Sequence, residues 1–150
     1  MAASPPGPHV LADVDGDGLD DAWEIAYFGS ITTTDGRTDM DGDGMTEWQE
    51  FIAGTDPTNP ASVLVLTDAQ HAAGVGNKIA WQSATGLQYE VEWSADLLGP
   101  FRTVAAGVAA TPPENGFVDV ARGTNSPGFY RVSAASGTNR VPSRNVAGLL

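Results

Sequence analysis

Asp13–Glu24 reads DVDGDGLDDAWE, and Asp39–Glu50 reads DMDGDGMTEWQE. The two stretches align without a gap, 26 positions apart, with Asp, Asp, Gly, Asp, Gly and Glu identical at positions 1, 3, 4, 5, 6 and 12. Position 9 is acidic in both, as Asp21 and Glu47. The chain is acidic overall, with a net charge of −12, but the excess is local. Residues 1–60 hold 13 acids and one base, Arg37, whereas residues 61–150 hold six of each. Twelve of those 13 acids lie between Asp13 and Glu50. A merely solvated acidic face would scatter its charges; these recur at a fixed spacing.

That spacing suits a hard divalent cation. Calcium takes about six to eight oxygens, and a 12-residue loop of this kind supplies them from positions 1, 3, 5, 7, 9 and 12. The first loop offers Asp13, Asp15, Asp17, the Leu19 carbonyl, Asp21 (often through water) and Glu24 as a bidentate ligand. The second offers Asp39, Asp41, Asp43, the Met45 carbonyl, Glu47 and Glu50. Position 6 needs a sharp turn with positive φ, which Gly18 and Gly44 allow. Two Ca2+ sites are therefore expected. Magnesium fits less well, because it demands tight octahedral geometry and keeps its waters.

Outward from the loops, residues 1–12 contain Pro5, Pro6 and Pro8 and read as an extended segment. Each loop runs into a short helical stretch, AWEIAYFG and EWQEFIAG, ended by Gly29 or Gly54 as a C-cap. GTDPTNPAS (54–62) is a turn and linker. From Ser62 the pattern changes to short strands: 62–67, 77–82, 87–93, 101–106, 116–121, 128–134 and 144–150. Seven strands with turns between them predict a β-sandwich. Ile79, Trp81, Tyr89, Val91, Trp93, Tyr130, Val132 and Ala134 fall on the core face; Lys78, Gln82, Glu90, Glu92 and Arg131 face water. The expected organisation is mainly β: an extended segment (1–12), a calcium-binding loop–helix module (13–60) and a sandwich (61–150).

The residues before Asp13 are proline-rich and those before Asp39 (ITTTDGRT) have no helical periodicity. Each loop is thus half of a helix–loop–helix hand. Position 8, apolar where paired hands join, is Asp20 and Thr46. DGDGLDDAWE and EWQEFIAGTDPTNP resemble bacterial thrombospondin type 3 repeats, and more distantly dockerin modules. KIAWQ, YEVEW and FYRVSA resemble strands B, C and F of a fibronectin type III or related immunoglobulin-like domain, with Trp81 as the strand B tryptophan and Tyr130 in the strand F tyrosine position. The resemblance implies an extracellular adhesive, spacer or assembly module.

Several classes fit poorly. Cysteine is absent, so disulfides and thiol chemistry are excluded. No apolar run approaches the roughly 20 residues of a membrane span. Met1–Val10 has neither the basic start nor the apolar middle of a secretory leader. A basic nucleic-acid footprint is missing. His9 and His71 both read as loop residues without a catalytic arrangement. Trp23, Trp48, Trp81 and Trp93 read as core rather than as a sugar-stacking platform. The expected function is therefore non-enzymatic: a secreted or cell-surface calcium-binding structural protein, a subunit of an extracellular filament or surface assembly. The alternative is a dockerin-like or carbohydrate-binding module of a larger secreted enzyme or adhesin, with a protein or glycan partner. A homopolymer could form by strand exchange, with Pro8–Leu11 or Asn145–Leu150 as donor. Against that, NVAGLL reads better as the last strand of its own sandwich than as a donor.

Overall fold

The computed structural model describes residues 12–122, 127–136 and 139–149. Helices α1 (Asp21–Phe28) and α2 (Glu47–Ala53) begin inside the two acidic loops. Position 8 of each loop is the helix N-cap, which explains why it is polar. The Asp20 carboxylate accepts the Trp23 amide. Thr46 and Gln49 form a reciprocal capping box. Both helices end as the sequence predicts, at Gly29 and Gly54 in the left-handed conformation.

Strands β1 (Leu66–Ala72), β2 (Gly76–Gln82), β3 (Gln88–Ser94), β4 (Arg102–Ala109), β5 (Glu114–Asp119), β6 (Gly128–Ser136), β7 (Asn139–Pro142) and β8 (Ala147–Leu149) follow. They form an antiparallel sheet β1–β2–β5 and a second sheet β4–β3–β6–β7, with β8 also paired to β6. NKIAWQ, YEVEW and FYRVSA are the second, third and sixth strands, as strands B, C and F require. Ile79, Trp81, Tyr89, Val91, Tyr130, Val132 and Ala134 are buried. Trp81 and Tyr89 meet edge to face at 5.6 Å between ring centroids.

Four details depart from the expected pattern. Residues 62–65 are not a strand. Val63 and Leu64 turn into the core, and the first strand runs on through the polar TDAQHA, where His71 lies in β1 rather than in a loop. The last strand is split, because β7 pairs with the second half of β6 and β8 with the first. On the outward face, Glu90, Glu92 and Arg131 are half-buried instead of open to water, since Arg131 bridges to Glu92 at 2.8 Å and Arg140 to Glu90 at 2.9 Å. Trp93 is likewise half-buried, its ring covered by the Arg122 guanidinium at 4.5 Å.

The loop–helix segment does not stand apart from the sandwich. One continuous apolar cluster runs from Leu19, Trp23, Met45 and Phe51 to Trp81, Tyr89 and Tyr130. Helix α2 packs on β6 and β7. At its end, a Cβ on Gly54 would lie 2.9 Å from the Ala84 Cβ, so only glycine permits this approach. Burying each large apolar side chain contributes about 1.5–3 kcal/mol. Several such residues on the helices outweigh the few kcal/mol that a weakly bound ion supplies.

Candidate metal centres

The first halves of the two loops fold alike. In the first, Asp13 Oδ1 accepts the amides of Gly16 (2.7 Å) and Asp17 (3.1 Å), and Oδ2 that of Gly18 (3.1 Å). In the second, Asp39 Oδ1 accepts Gly42 (2.7 Å) and Asp43 (3.2 Å), and Oδ2 Gly44 (2.9 Å). The position 5 carboxylates accept the position 7 amides, Asp17 from Leu19 at 2.9 Å and Asp43 from Met45 at 2.6 Å. These bonds curl each loop back onto its first aspartate and leave Asp17 Oδ2 and Asp43 Oδ2 without a hydrogen-bond partner.

Glycine is needed at two loop positions. Gly18 and Gly44 have φ of 95° and 99°, as expected for position 6; Gly16 and Gly42, at position 4, each have φ of 77°. The identity of both position 4 glycines was the signal for the second turn.

Asp13, Asp15 and Asp17 bring carboxylate oxygens within 4.8 Å of one another, as do Asp15, Asp21 and Glu24, and as do Asp39, Asp41 and Asp43. Leu19 and Met45 bury their side chains in the core, which anchors their backbone at the loop. Glu24 and Glu50, one turn into their helices, are fully buried. Glu50 stands outside the converging group; its Oε1 takes the Thr55 hydroxyl at 3.3 Å. Glu47 also stands outside it. Its Oε1 accepts the Met40 amide at 2.6 Å, and its Oε2 accepts the hydroxyls of Thr38 (2.7 Å) and Thr34 (3.3 Å). Nothing in the spacing pointed to Thr34 and Thr38, because they belong to no loop position.

The electrostatics show a site short of positive charge. Burial, then the charges of Asp17 and Asp15, pushes the Glu24 carboxyl up to about 7. Burial, then Asp41 and Asp43, pushes Glu50 up to about 8. Asp17 and Asp41 are also raised, chiefly by burial. Among the described residues, nine buried side-chain polar atoms lack a hydrogen-bond partner. Six of them are carboxylate oxygens of these loops: Asp17 Oδ2, both Glu24 oxygens, Asp41 Oδ2, Asp43 Oδ2 and Glu50 Oε2. Buried anionic oxygens are costly without a counter-charge, and so large a share in two loops fits an oxygen-preferring dication.

The fold and site together define a paired acidic loop–helix segment joined to a two-sheet antiparallel β-sandwich. The bacterial TSP3 repeat family, whose members bind calcium, matches residues 13–30 and 39–60. The sandwich resembles a Fn3-like protein from Clostridium thermocellum (TM-score 0.48, 24% identity, covering 59% of this chain and 91% of that one). It also resembles a fibronectin type III domain from the human KIAA0970 protein (TM-score 0.42, 16% identity, 57% and 70% covered). No curated protein matches the chain by sequence. No helix among the described residues is long and apolar enough to cross a membrane.

Proposed function

We propose that the chain is an extracellular calcium-binding structural protein, in which one ion in each loop locks a short acidic segment onto a β-sandwich. The carrying observation is the set of six buried, unpartnered carboxylate oxygens, divided between two loops of matching hydrogen-bond geometry. Asp13, Asp15, Asp17, the Leu19 carbonyl, Asp21 and Glu24 would hold the first ion; Asp39, Asp41, Asp43, the Met45 carbonyl and Glu50 the second. A bound ion supplies counter-charge and nothing further; the work is mechanical, drawing helix and loop together. Extracellular modules of this kind bind with Kd of about 10⁻⁴–10⁻³ M. At a few millimolar calcium each site then adds roughly 1–2 kcal/mol.

Within this reading the chain serves as a subunit of a filament or surface assembly. What favours assembly is the unpaired side of β4, which is hydrogen-bonded to β3 alone among the described strands. Of the two strand donors considered, Pro8–Leu11 lies outside the described residues, and β8 pairs with β6 of its own sandwich. The sugar-stacking alternative has less support, because Trp23 and Trp81 are buried and Trp48 and Trp93 half-buried.

Calorimetric titration with calcium chloride tests the metal reading; uptake of two ions per chain is expected, and no uptake refutes it. Electron microscopy and light scattering with calcium test the assembly reading, which a homogeneous monomer under all conditions would overturn.

A further inference from the structure

The two loops share their sequence pattern and most of their hydrogen bonds, yet they differ at position 9. In both, the position 9 carboxylate accepts the amide of position 2: Asp21 from Val14 at 3.0 Å, Glu47 from Met40 at 2.6 Å. The shorter aspartate still brings an oxygen within 4.8 Å of Asp15 and Glu24. The longer glutamate reaches the other way. Its second oxygen is occupied by Thr38 and Thr34, from the segment between the loops, and the whole side chain is shut off from solvent. The terminal glutamates differ in the same direction. Both oxygens of Glu24 are buried without a partner, whereas Glu50 has one oxygen on Thr55 and only Oε2 unpartnered.

We infer that Glu47 is a positioning residue and not a calcium ligand, and that the loop Asp13–Glu24 consequently binds calcium more tightly than the loop Asp39–Glu50. This inference rests on the calcium reading above. Calcium affinity in such loops follows the number of charged ligands and the rigidity of the site. The first loop has five carboxylates for the ion; the second has four, counting Glu50 through its unpartnered Oε2, whereas Glu47 has both oxygens occupied. Glu47 instead clamps Thr34, Thr38 and Met40 to the start of α2, which holds the inter-loop segment in place before any ion arrives. Its negative charge is not required for that. A glutamine can accept the Met40 amide through its oxygen and donate to a threonine hydroxyl through its nitrogen.

The experiment is a calorimetric calcium chloride titration of the full chain, paired with thermal unfolding in EDTA. The wild type should show two steps, with affinities about tenfold or more apart. Glu24→Gln should abolish the tighter step and Glu50→Gln the weaker. Asp21→Asn should weaken the tighter step. Glu47→Gln should leave both steps within about threefold of wild type, because the clamp survives and no ligand charge is lost. Glu47→Ala should weaken the second step by about 10–100-fold, as loss of an orienting partner does, and also lower the melting temperature in EDTA, where no ion contributes.

A Glu47→Gln variant whose second step falls as far as that of Glu50→Gln would make Glu47 a ligand and overturn the inference. So would assignment of the tighter step to Glu50. Those results leave the calcium reading intact, whereas no uptake by the wild type would overturn both. If Glu47→Ala fails to fold, Glu47→Gln decides alone.

Discussion

The Asn145 side chain grips the backbone of Leu66 at both ends: its Oδ1 accepts the Leu66 amide at 2.7 Å, and its Nδ2 donates to the Leu66 carbonyl at 3.0 Å. One residue away, the Arg144 amide donates to Leu64 at 2.8 Å. The break between β7 and β8 therefore serves as the partner of the segment leading into β1. This closes one edge of the sandwich without a continuous strand.

Replacing Glu24 should act with opposite signs in the two metal states. At pH 8 without metal, Glu24 is a buried carboxylate without a hydrogen-bond partner, among other carboxylates. Glu24→Gln removes that charge and should raise the melting temperature in EDTA by about 2–4 °C, the shift that roughly 1 kcal/mol produces in a chain of this size. In millimolar calcium the variant loses its first ion and about 1–2 kcal/mol with it. Paired thermal scans with EDTA and with calcium check this; a fall in both would contradict it.

The metal-free protein should lose stability as pH rises. Folded Glu24 and Glu50 hold protons up to about 7 and about 8, while in the unfolded chain each titrates near 4.5. Between those limits the folded state binds more protons, so unfolding free energy falls with increasing pH. Urea midpoints in EDTA should be lower at pH 8 than at pH 5.5. Calcium uptake at pH 6 should release protons, visible as a buffer-dependent heat.

Tyr130→Phe should destabilise the sandwich. The hydroxyl donates to Asp119 at 2.9 Å and accepts from Asn77 at 3.0 Å, and all three residues are buried. Losing it strands the buried Asn77 Nδ2 and leaves Asp119 Oδ2 with Arg122 as its remaining side-chain partner, at about 1–3 kcal/mol. Urea unfolding in saturating calcium reads this, and calcium titration of the folded variant should match wild type.

Phe51→Ala tests whether helix and sandwich unfold together. Phe51 is buried on α2, 5.4 Å from the Trp23 ring, inside the cluster that reaches Trp81. Truncation should cost about 3–5 kcal/mol. Because the cluster is continuous, a single cooperative transition is expected, moved as a whole by both the mutation and calcium. Two separate transitions, with only one sensitive to Phe51, would show that the loop–helix segment folds independently.

Much of this was legible without coordinates. The caps at Gly29 and Gly54, the curl of both loops and the inward faces of β2, β3 and β6 all follow from spacing, because they depend on residues within a turn or two of each other. Trp93 shows where such reading stops. Alternation assigns it to the core, but it is half-buried, and the Arg122 cation covers it from another part of the chain. β7 gives little signal of its own, since only Val141 in NRVP is buried and its pairing comes from β6.

By itself, then, the sequence determined the two 12-residue loops, the acidic residues that recur along them, the half-hand form and the sandwich that follows, all set by local spacing and by the period of the strands. The tertiary structure alone decided where Glu47 points, which segment closes the first sheet, and that the helices share one apolar cluster with the strands. Each of these depends on groups far apart in the chain: Thr34 and Thr38 reach Glu47, Asn145 reaches Leu66, and Phe51 reaches a core built by β2, β3 and β6. A carboxylate's chemistry is legible from its place in a motif, but its partner is chosen by what the fold brings within about 3 Å of it.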